Sequence, residues 1–265
     1  MELIISLVVI LIAMTALWAW QLRSQRADWV DAAWAAAIGL LAIGYAVLGE
    51  GSPEKRILVA LVAGTWSFRL TRHLAVRLAS HTTEDGRYLA IREHFGQRQQ
   101  LFLLVFFLAQ GLLAWLFALP AWVVANDPSA DLNVWVILGV AVWFISLAGE
   151  SIADRQLAAF RNDPEQRGKV CDIGLWRYSR HPNYFFEWLH WFSYPLLALG
   201  APNQWLTWLG PVLMLLFLYR LTGIPYTEKQ ALKSRGDAYR HYQRTTSAFI
   251  PLPPRNSPEK EQKQP

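Results

Sequence analysis

The sequence predicts an all-α polytopic membrane protein, a bundle of about seven transmembrane helices. Three observations carry that prediction. Hydrophobic residues make up 54% of the 265 and charged residues only 17%, beyond the usage of a water-soluble domain. Apolar stretches near the ~20 residues that cross a bilayer recur along the chain. The chain also holds 14 tryptophans, whose indole rings favour the membrane–water interface.

The predicted spans are residues 3–22, 29–49, 57–79, 101–125, 133–153, 184–200 and 204–224. The first has neither a basic leader nor a small-residue cleavage site, so it reads as a retained span. The sixth and seventh are short or interrupted by Pro195 and Pro211, which suggests a bent pair joined through "GAPNQ". Basic residues set the orientation, because Lys and Arg stay on the cytoplasmic side. Of the 25 Lys and Arg, only Lys55 and Arg56 fall on the far side of this arrangement. The N-terminus is therefore expected outside and the C-terminus in the cytoplasm, with the protein in a bacterial inner membrane. The formal net charge of +5 suits anionic lipid headgroups or a phosphate-bearing ligand and gives no reason to invoke nucleic acid.

The outward connectors "EGSPEKR", "NDPSAD" and "GAPNQ" look like plain turns, whereas the inward segments 80–100, 154–183 and 225–251 are long. Chemistry is expected at that inward end, opening to the cytoplasm. Residues 1–251 read as one integral membrane domain and 252–265 as a disordered tail. With a single cysteine, Cys171, the chain has no internal disulfide and no cysteine-based metal cluster. It also lacks G-x-G-x-x-G, P-loop and H-E-x-x-H signatures.

Polar residues inside spans are costly and mark function by default. Asp28 and Asp31, three residues apart, share a face near the inner end of span two. Span three ends with Arg69, Arg72 and His73 on one face and Arg77 a turn further on; a structural ion pair with snorkelling arginines gives the same pattern. "TEDGRY" reads as a solvated turn beside that face. Glu150, Asp154 and Arg161 form a stripe continuing span five, as an ion-pair ladder also would.

The densest polar stretch is "RYSRHPNYFFEWLHW", residues 177–191. Pro182 starts a helix, and Arg177, Arg180 and His181 just before it, with free backbone N–H groups, suit an anion such as phosphate. Asn183, Glu187 and His190 follow on one face, a set suited to a ribose or a carboxamide; an interfacial loop touching lipid is the alternative. The last ordered segment brings Glu228, Tyr239, His241, Tyr242 and Arg244, where tyrosines can stack on a flat ring and arginine can hold a phosphate, or where an amphipathic tail can lie on the membrane.

At "GLWRYSRHPNYFFEWLHW" the sequence resembles the steroid 5α-reductase family, and "DWVDAAW", "WSFRLTRHLAVR…EDGRY" and "YRHYQR…FIP" resemble its bacterial branch of 3-oxo-5α-steroid 4-dehydrogenase-like membrane reductases. Isoprenylcysteine and phospholipid methyltransferases share the "RHPNY…E" and closing elements. The reductase resemblance implies a seven-helix bundle with NADPH entering from the cytoplasm and a flat hydrophobic enone from the membrane. By motif it implies cofactor contacts at Arg77, Asp154, Arg161, Arg180, Asn183, Tyr184, Glu187, Tyr239 and Arg244. The family's carbonyl-polarising acid and tyrosine fall nearest Asp31 and Trp66; an indole donates a hydrogen bond but transfers no proton.

The expected activity is NADPH-dependent reduction of a carbonyl-conjugated C=C bond in a lipid-like substrate. Asp31, protonated by burial, is the expected acid; a positive field from Arg72 and His73 in its place is the alternative. His181, Glu228 and Tyr242 complete the expected cofactor surface. A methyltransferase using S-adenosylmethionine and a non-enzymatic lipid-binding protein are the alternatives.

Overall fold

The computed structural model describes residues 1–221 and 223–255. Among them the chain is helical, without strands; one isolated parallel bridge joins Ser179 and Ser247. Five stretches are long and apolar enough to cross a membrane: Glu2–Ser24, Trp29–Leu48, Gly86–Ala125, Val134–Asn162 and Gln204–Thr245. The chain forms two compact units, Met1–Leu132 with Leu197–Leu209, and Asn133–Leu196 with Gly210–Pro265.

The first unit opens with α1 (Glu2–Ser24), which exposes Ile4, Ile5, Val8, Val9 and Ile12. Water penalises such surface at ~25 cal/mol per Å², and lipid does not. α2 (Trp29–Leu48) buries Ala32, Ala35, Gly39, Ala42 and Ala46, a small-residue row at three- and four-residue steps. α3 (Pro53–Ala79) packs on this row, because small residues let helix backbones approach in lipid. A Cβ on Gly39 would stand 2.1 Å from Ser67 Oγ, which instead donates to the Ala35 carbonyl at 2.8 Å. α4 (Gly86–Phe95) leads into α5 (Gln99–Ala125), which packs on α1 and α2. There Gly111 makes room for Met14, and Phe117 meets Trp34 edge-on at 5.3 Å.

α3 matches the third predicted span at its C-terminal end but is absent from the five apolar stretches. Arg69, Arg72, His73 and Arg77 dilute its second half. The connectors expected to face outward are more than turns. Lys55 is buried, pairs with Asp127 Oδ2 at 2.9 Å and donates to the Leu197 carbonyl, while Ser52 Oγ donates to Ser129 O at 3.0 Å. A buried ion pair persists when its remaining hydrogen-bonding capacity is met, as here.

In the second unit α6 (Val134–Asn162) extends nine residues past the predicted span. The predicted sixth span is broken into α7 (Pro182–His190) and α8 (Ser193–Leu197). At the break Trp191 and Ser193 are buried, and Ser193 Oγ donates to the His190 carbonyl at 2.7 Å. α7 lies on α6 with the Phe186 ring over Gly149, where a Cβ would come within 2.4 Å of it. α9 (Leu209–Leu216) runs into a π turn, Phe217–Leu221, and residue 222 of the predicted seventh span lies outside the described residues. α10 (Ile224–Thr245) is polar and amphipathic and kinks at Gly236, whose φ of 52° suits a residue without Cβ.

The tail expected to be disordered begins tied down: Leu252 N–H donates to Tyr178 O at 2.9 Å and Arg255 N–H to Thr245 O at 2.8 Å. Its residues 256–265 lie outside the described residues.

Candidate functional site

The second unit gathers most of the residues expected to hold a cofactor around the start of α7. Ser179 sets the local backbone: its Oγ accepts from His181 N–H at 3.1 Å and donates to Phe249 O at 2.7 Å. Arg180 N–H donates to Ser247 O at 2.9 Å, which fixes the loop against the chain after α10. Pro182 then occupies the first helical turn.

From this frame Asn183 Nδ2 donates to Asp154 Oδ1 at 3.2 Å, joining α7 to α6. Tyr184 packs its ring on His181, centroids 5.3 Å apart and planes within 8°. Thr227 Oγ1 donates to Gly223 O at 2.9 Å, so the Tyr184 hydroxyl, 3.2 Å away, is the donor to Thr227. Glu187 is buried and accepts from Trp191 Nε1 at 3.4 Å. Asp154, Asn183, Tyr184 and Glu187 thus stand together on facing helices, as the resemblance implies.

Other expected contacts are committed elsewhere. Arg180 Nε donates to Glu228 Oε1 at 2.7 Å, and its Nη1 donates to Gln243 O at 3.0 Å and Thr246 O at 2.7 Å. It satisfies the carbonyls that end α10, which every helix terminus leaves open. Gln243 Nε2 holds the second Glu228 oxygen at 2.8 Å. His181 Nε2 lies 3.4 Å from Glu228 Oε1. Burial nevertheless lowers the His181 pKa, since Arg180 already neutralises the carboxylate, so its side chain is neutral and not a phosphate-binding cation. The phosphate site expected from Arg177, Arg180 and His181 is therefore not built: of the three only Arg177, exposed, faces solvent freely.

Tyr242 and Tyr239 are buried edge to edge; the Tyr242 hydroxyl donates to Trp176 O, with Ser179 O at 3.3 Å. Tyr242 clamps the loop and offers no free face to a flat ring. Arg244 is exposed, and no hydrogen bond or ion pair among the described residues ties it down. Arg161 lines a different cavity, with Arg167, Lys169 and Arg235.

The expected catalytic residues belong to the first unit. Asp31 Oδ1 accepts from the Tyr88 hydroxyl at 2.8 Å and Oδ2 from Arg87 Nη2 at 2.7 Å. Both oxygens of Asp31 therefore already have a donor within the first unit. Trp66 is buried on the α3 face that includes Val59, Val62 and Ala63. Arg72 and His73 are exposed, and Arg77 pairs with Asp85 Oδ2 at 3.1 Å.

"TEDGRY" is no solvated turn. Glu84, buried, accepts from Ala27 N–H at 2.6 Å and pairs with Arg92 at 2.7 Å. Asp28 pairs with Arg26 at 3.0 Å and accepts from Asp85 N–H at 3.0 Å. Burial alone would raise the Asp85 pKa, but the hydrogen bonds and charge of Arg87 outweigh it and hold the carboxyl below its ordinary range. The sequence reading placed Arg87 and Tyr88 beside the cationic face but only as part of a turn, and it missed Arg92. The available signal was Gln21, a fully buried amide at the end of an apolar helix, which receives Arg92 Nη2 at 3.0 Å. Among the described residues no three His, Cys, Asp or Glu side chains are grouped to hold a metal ion.

Apolar helices with exposed aliphatic faces and two polar constellations at helix ends define a polytopic α-helical membrane protein. The chain belongs to the family described as "Protein of unknown function (DUF1295)", which matches residues 17–246. It is similar to uncharacterized protein C594.04c of Schizosaccharomyces pombe, 24% identical over 280 positions that cover 94% of this chain and 79% of that protein. No solved structure matches.

Proposed function

We propose that the chain is an NADPH-dependent membrane reductase acting on a C=C bond conjugated to a carbonyl in a steroid-like or other lipid substrate. The observation that carries this reading is the pairing of Asn183 with Asp154 at 3.2 Å beside Tyr184 and buried Glu187. A carboxamide, two carboxylates and a phenol on facing helices suit a ribose and a nicotinamide amide. The family takes in steroid 5α-reductase-like membrane proteins, which supports the same reading.

NADPH, when bound, supplies the hydride. Asp154 and Glu187 accept from hydroxyl or amide donors, and Asn183 can both donate and accept. The Asp31–Tyr88 pair brings together an acid and a tyrosine, the residue types that the resemblance assigns to carbonyl polarisation, with Tyr88 in place of Trp66. Arg87 holds the other oxygen of Asp31, which fixes the carboxyl group that orients the phenol.

We also read the chain as crossing the membrane seven times, N-terminus outside and the site open to the cytoplasm. Irregular backbone is tolerated at membrane depth only where protein buries it, and the break between α7 and α8 is buried at Trp191, Ser193 and Tyr194.

The test is a titration of the purified full-length chain in detergent with NADPH and, separately, S-adenosylmethionine. NADPH is expected to bind, and Asn183→Ala to weaken it by about tenfold or more, the ~1.4 kcal/mol of one good polar contact. Response to S-adenosylmethionine alone would favour the methyltransferase, a reading to which the commitment of Arg180 to Glu228 lends weight, since that cofactor has no 2′-phosphate. Response to neither cofactor would sink both enzyme readings.

A further inference from the structure

The second unit holds a cavity of about 210 Å³ at the C-terminal end of α6, bounded by the turn after it and by α10. Four of its lining side chains are cations: Arg161, Arg167, Lys169 and Arg235. Its floor is the apolar cluster of Phe160, Cys171 and Leu157. No acidic side chain lines it. Three of the four, Arg167, Lys169 and Arg235, make no ion pair among the described residues, in contrast to Arg26, Arg77, Arg87, Arg92 and Arg180, each of which has a carboxylate.

Arg161, Arg167 and Lys169 are exposed and Arg235 is half-buried, so solvent tempers their mutual repulsion, and an anion placed in this gathering is attracted by all four charges. Here the chain builds that gathering deliberately. Gly168, at φ 78°, turns the backbone between Arg167 and Lys169 in a conformation that other residues rarely adopt. Arg235 Nε donates to the Lys169 carbonyl at 2.8 Å, which pins the turn and keeps the Arg235 guanidinium at the cavity. Burial raises the Cys171 thiol pKa, so no thiolate competes as the local anion. The volume equals about seven waters at ~30 Å³ each, room for one tetrahedral oxyanion with part of its hydration shell.

We infer that this cavity is a binding site for a phosphate monoester, held by Arg161, Arg167, Lys169 and Arg235. Planar guanidinium forks match phosphate oxygens in pairs, and the lysine adds a mobile point charge. The phosphate belongs either to a soluble nucleotide or to a lipid headgroup; both present the same dianion. Arg161 is also among the cofactor contacts that the reductase resemblance implies, so a nucleotide outcome rests on and deepens that reading. Arg167, Lys169 and Arg235 are not, and phosphate binding by their variants can fail without touching Asp154, Asn183 or Glu187.

Binding is measured on the full chain with 2′,5′-ADP, with adenosine, which carries no phosphate, as its control, and with nanodiscs containing phosphatidic acid, a phosphate monoester, against phosphatidylcholine, a diester. Lys169→Gln and Arg167→Gln alter exposed side chains and so spare folding; Arg235→Gln is the third variant. Arg240→Gln, outside the cavity and paired with Asp237, is the control. Each cavity variant is expected to weaken the phosphate ligand at least fivefold and to flatten its salt dependence, with Arg240→Gln unchanged. Loss for 2′,5′-ADP alone identifies a nucleotide, and loss for phosphatidic acid alone identifies a lipid. Equal affinities of wild type and all three variants for both ligands, or binding with no preference for the phosphate-monoester member of either pair, overturn the inference. If Arg235→Gln fails to fold, the two exposed variants decide.

Discussion

His181 shows how position overrides residue type. Its ring stacks on Tyr184, and the charged groups that face it are Glu228 and Arg180. Burial dominates and lowers its pKa; Glu228 pulls the other way and Arg180 adds to burial. The native state therefore refuses a proton that the unfolded chain accepts below its ordinary pKa of about 6.5. Stability from this residue is present above that pH and drains away as pH falls through it, by at most ~1.4 kcal/mol per pH unit. Thermal unfolding in detergent between pH 7.5 and 5.5 should show the midpoint of the wild type falling, and His181→Gln should fall less steeply. Equal slopes would place the pH sensitivity elsewhere.

The same residue scale explains why the candidate site was only partly legible. The sequence marked Arg180 as unusual because it lies in a polar stretch of an apolar chain. Its partners, Glu228 and the carbonyls of Gln243 and Thr246, are 48 to 66 residues away, a separation no local spacing rule reaches. Asp31 and Tyr88 are 57 apart for the same reason. Asp154 and Asn183 were legible because each sits on a helix whose apolar neighbours fix which way it faces.

At the scale of elements, the α2–α3 seam rests on one missing methyl group. A Cβ on Gly39 would stand 2.1 Å from Ser67 Oγ and 2.3 Å from Ser67 Cβ. Rotation about χ1 can swing Oγ aside but cannot move Cβ, so the helices must part. Overpacking of this kind costs about 1–3 kcal/mol. Gly39→Ala should lower the thermal midpoint, and adding Ser67→Gly should recover much of the loss, although it removes the bond to Ala35 O. A double-mutant cycle reads the coupling. Independent effects of the two changes would show that the helices do not meet at these positions.

Elements were legible where apolar periodicity ran unbroken. α2 and α5 lie within two residues of their predicted limits. The sixth span was not, because "YFFEWLHWFSYPLLALG" has the composition of a membrane helix whether or not it is continuous. What breaks it is packing: the Trp191 indole sits where a Cβ on Gly210 would come within 2.5 Å of it. Hydropathy does not register that pairing, since indole and glycine lie 19 positions apart.

For the whole molecule, the open issue is how many times the chain crosses the membrane. Counting only the five apolar stretches would put the segment with Lys55 through Arg98 on one side and the segment with Arg220 through Lys263 on the other. Seven crossings leave only Lys55 and Arg56 of the 25 basic residues outside, the distribution that cytoplasmic retention of Lys and Arg favours. α3 can make the third crossing because its 27 residues span about 40 Å and its arginines cluster in its C-terminal half, which in the seven-span arrangement lies at the cytoplasmic surface. α7 and α8 can make the sixth because their junction is buried in protein. In a Cys171→Ser background, single cysteines at the exposed sites Glu54→Cys, Asp131→Cys, Glu165→Cys and Asp237→Cys separate the two counts. Seven crossings require an impermeant thiol reagent to label positions 54 and 131 in right-side-out vesicles, and 165 and 237 only in inverted ones. Five crossings instead place 54 opposite 131 and 165 opposite 237, a pattern that sinks the seven-span arrangement without touching either polar constellation.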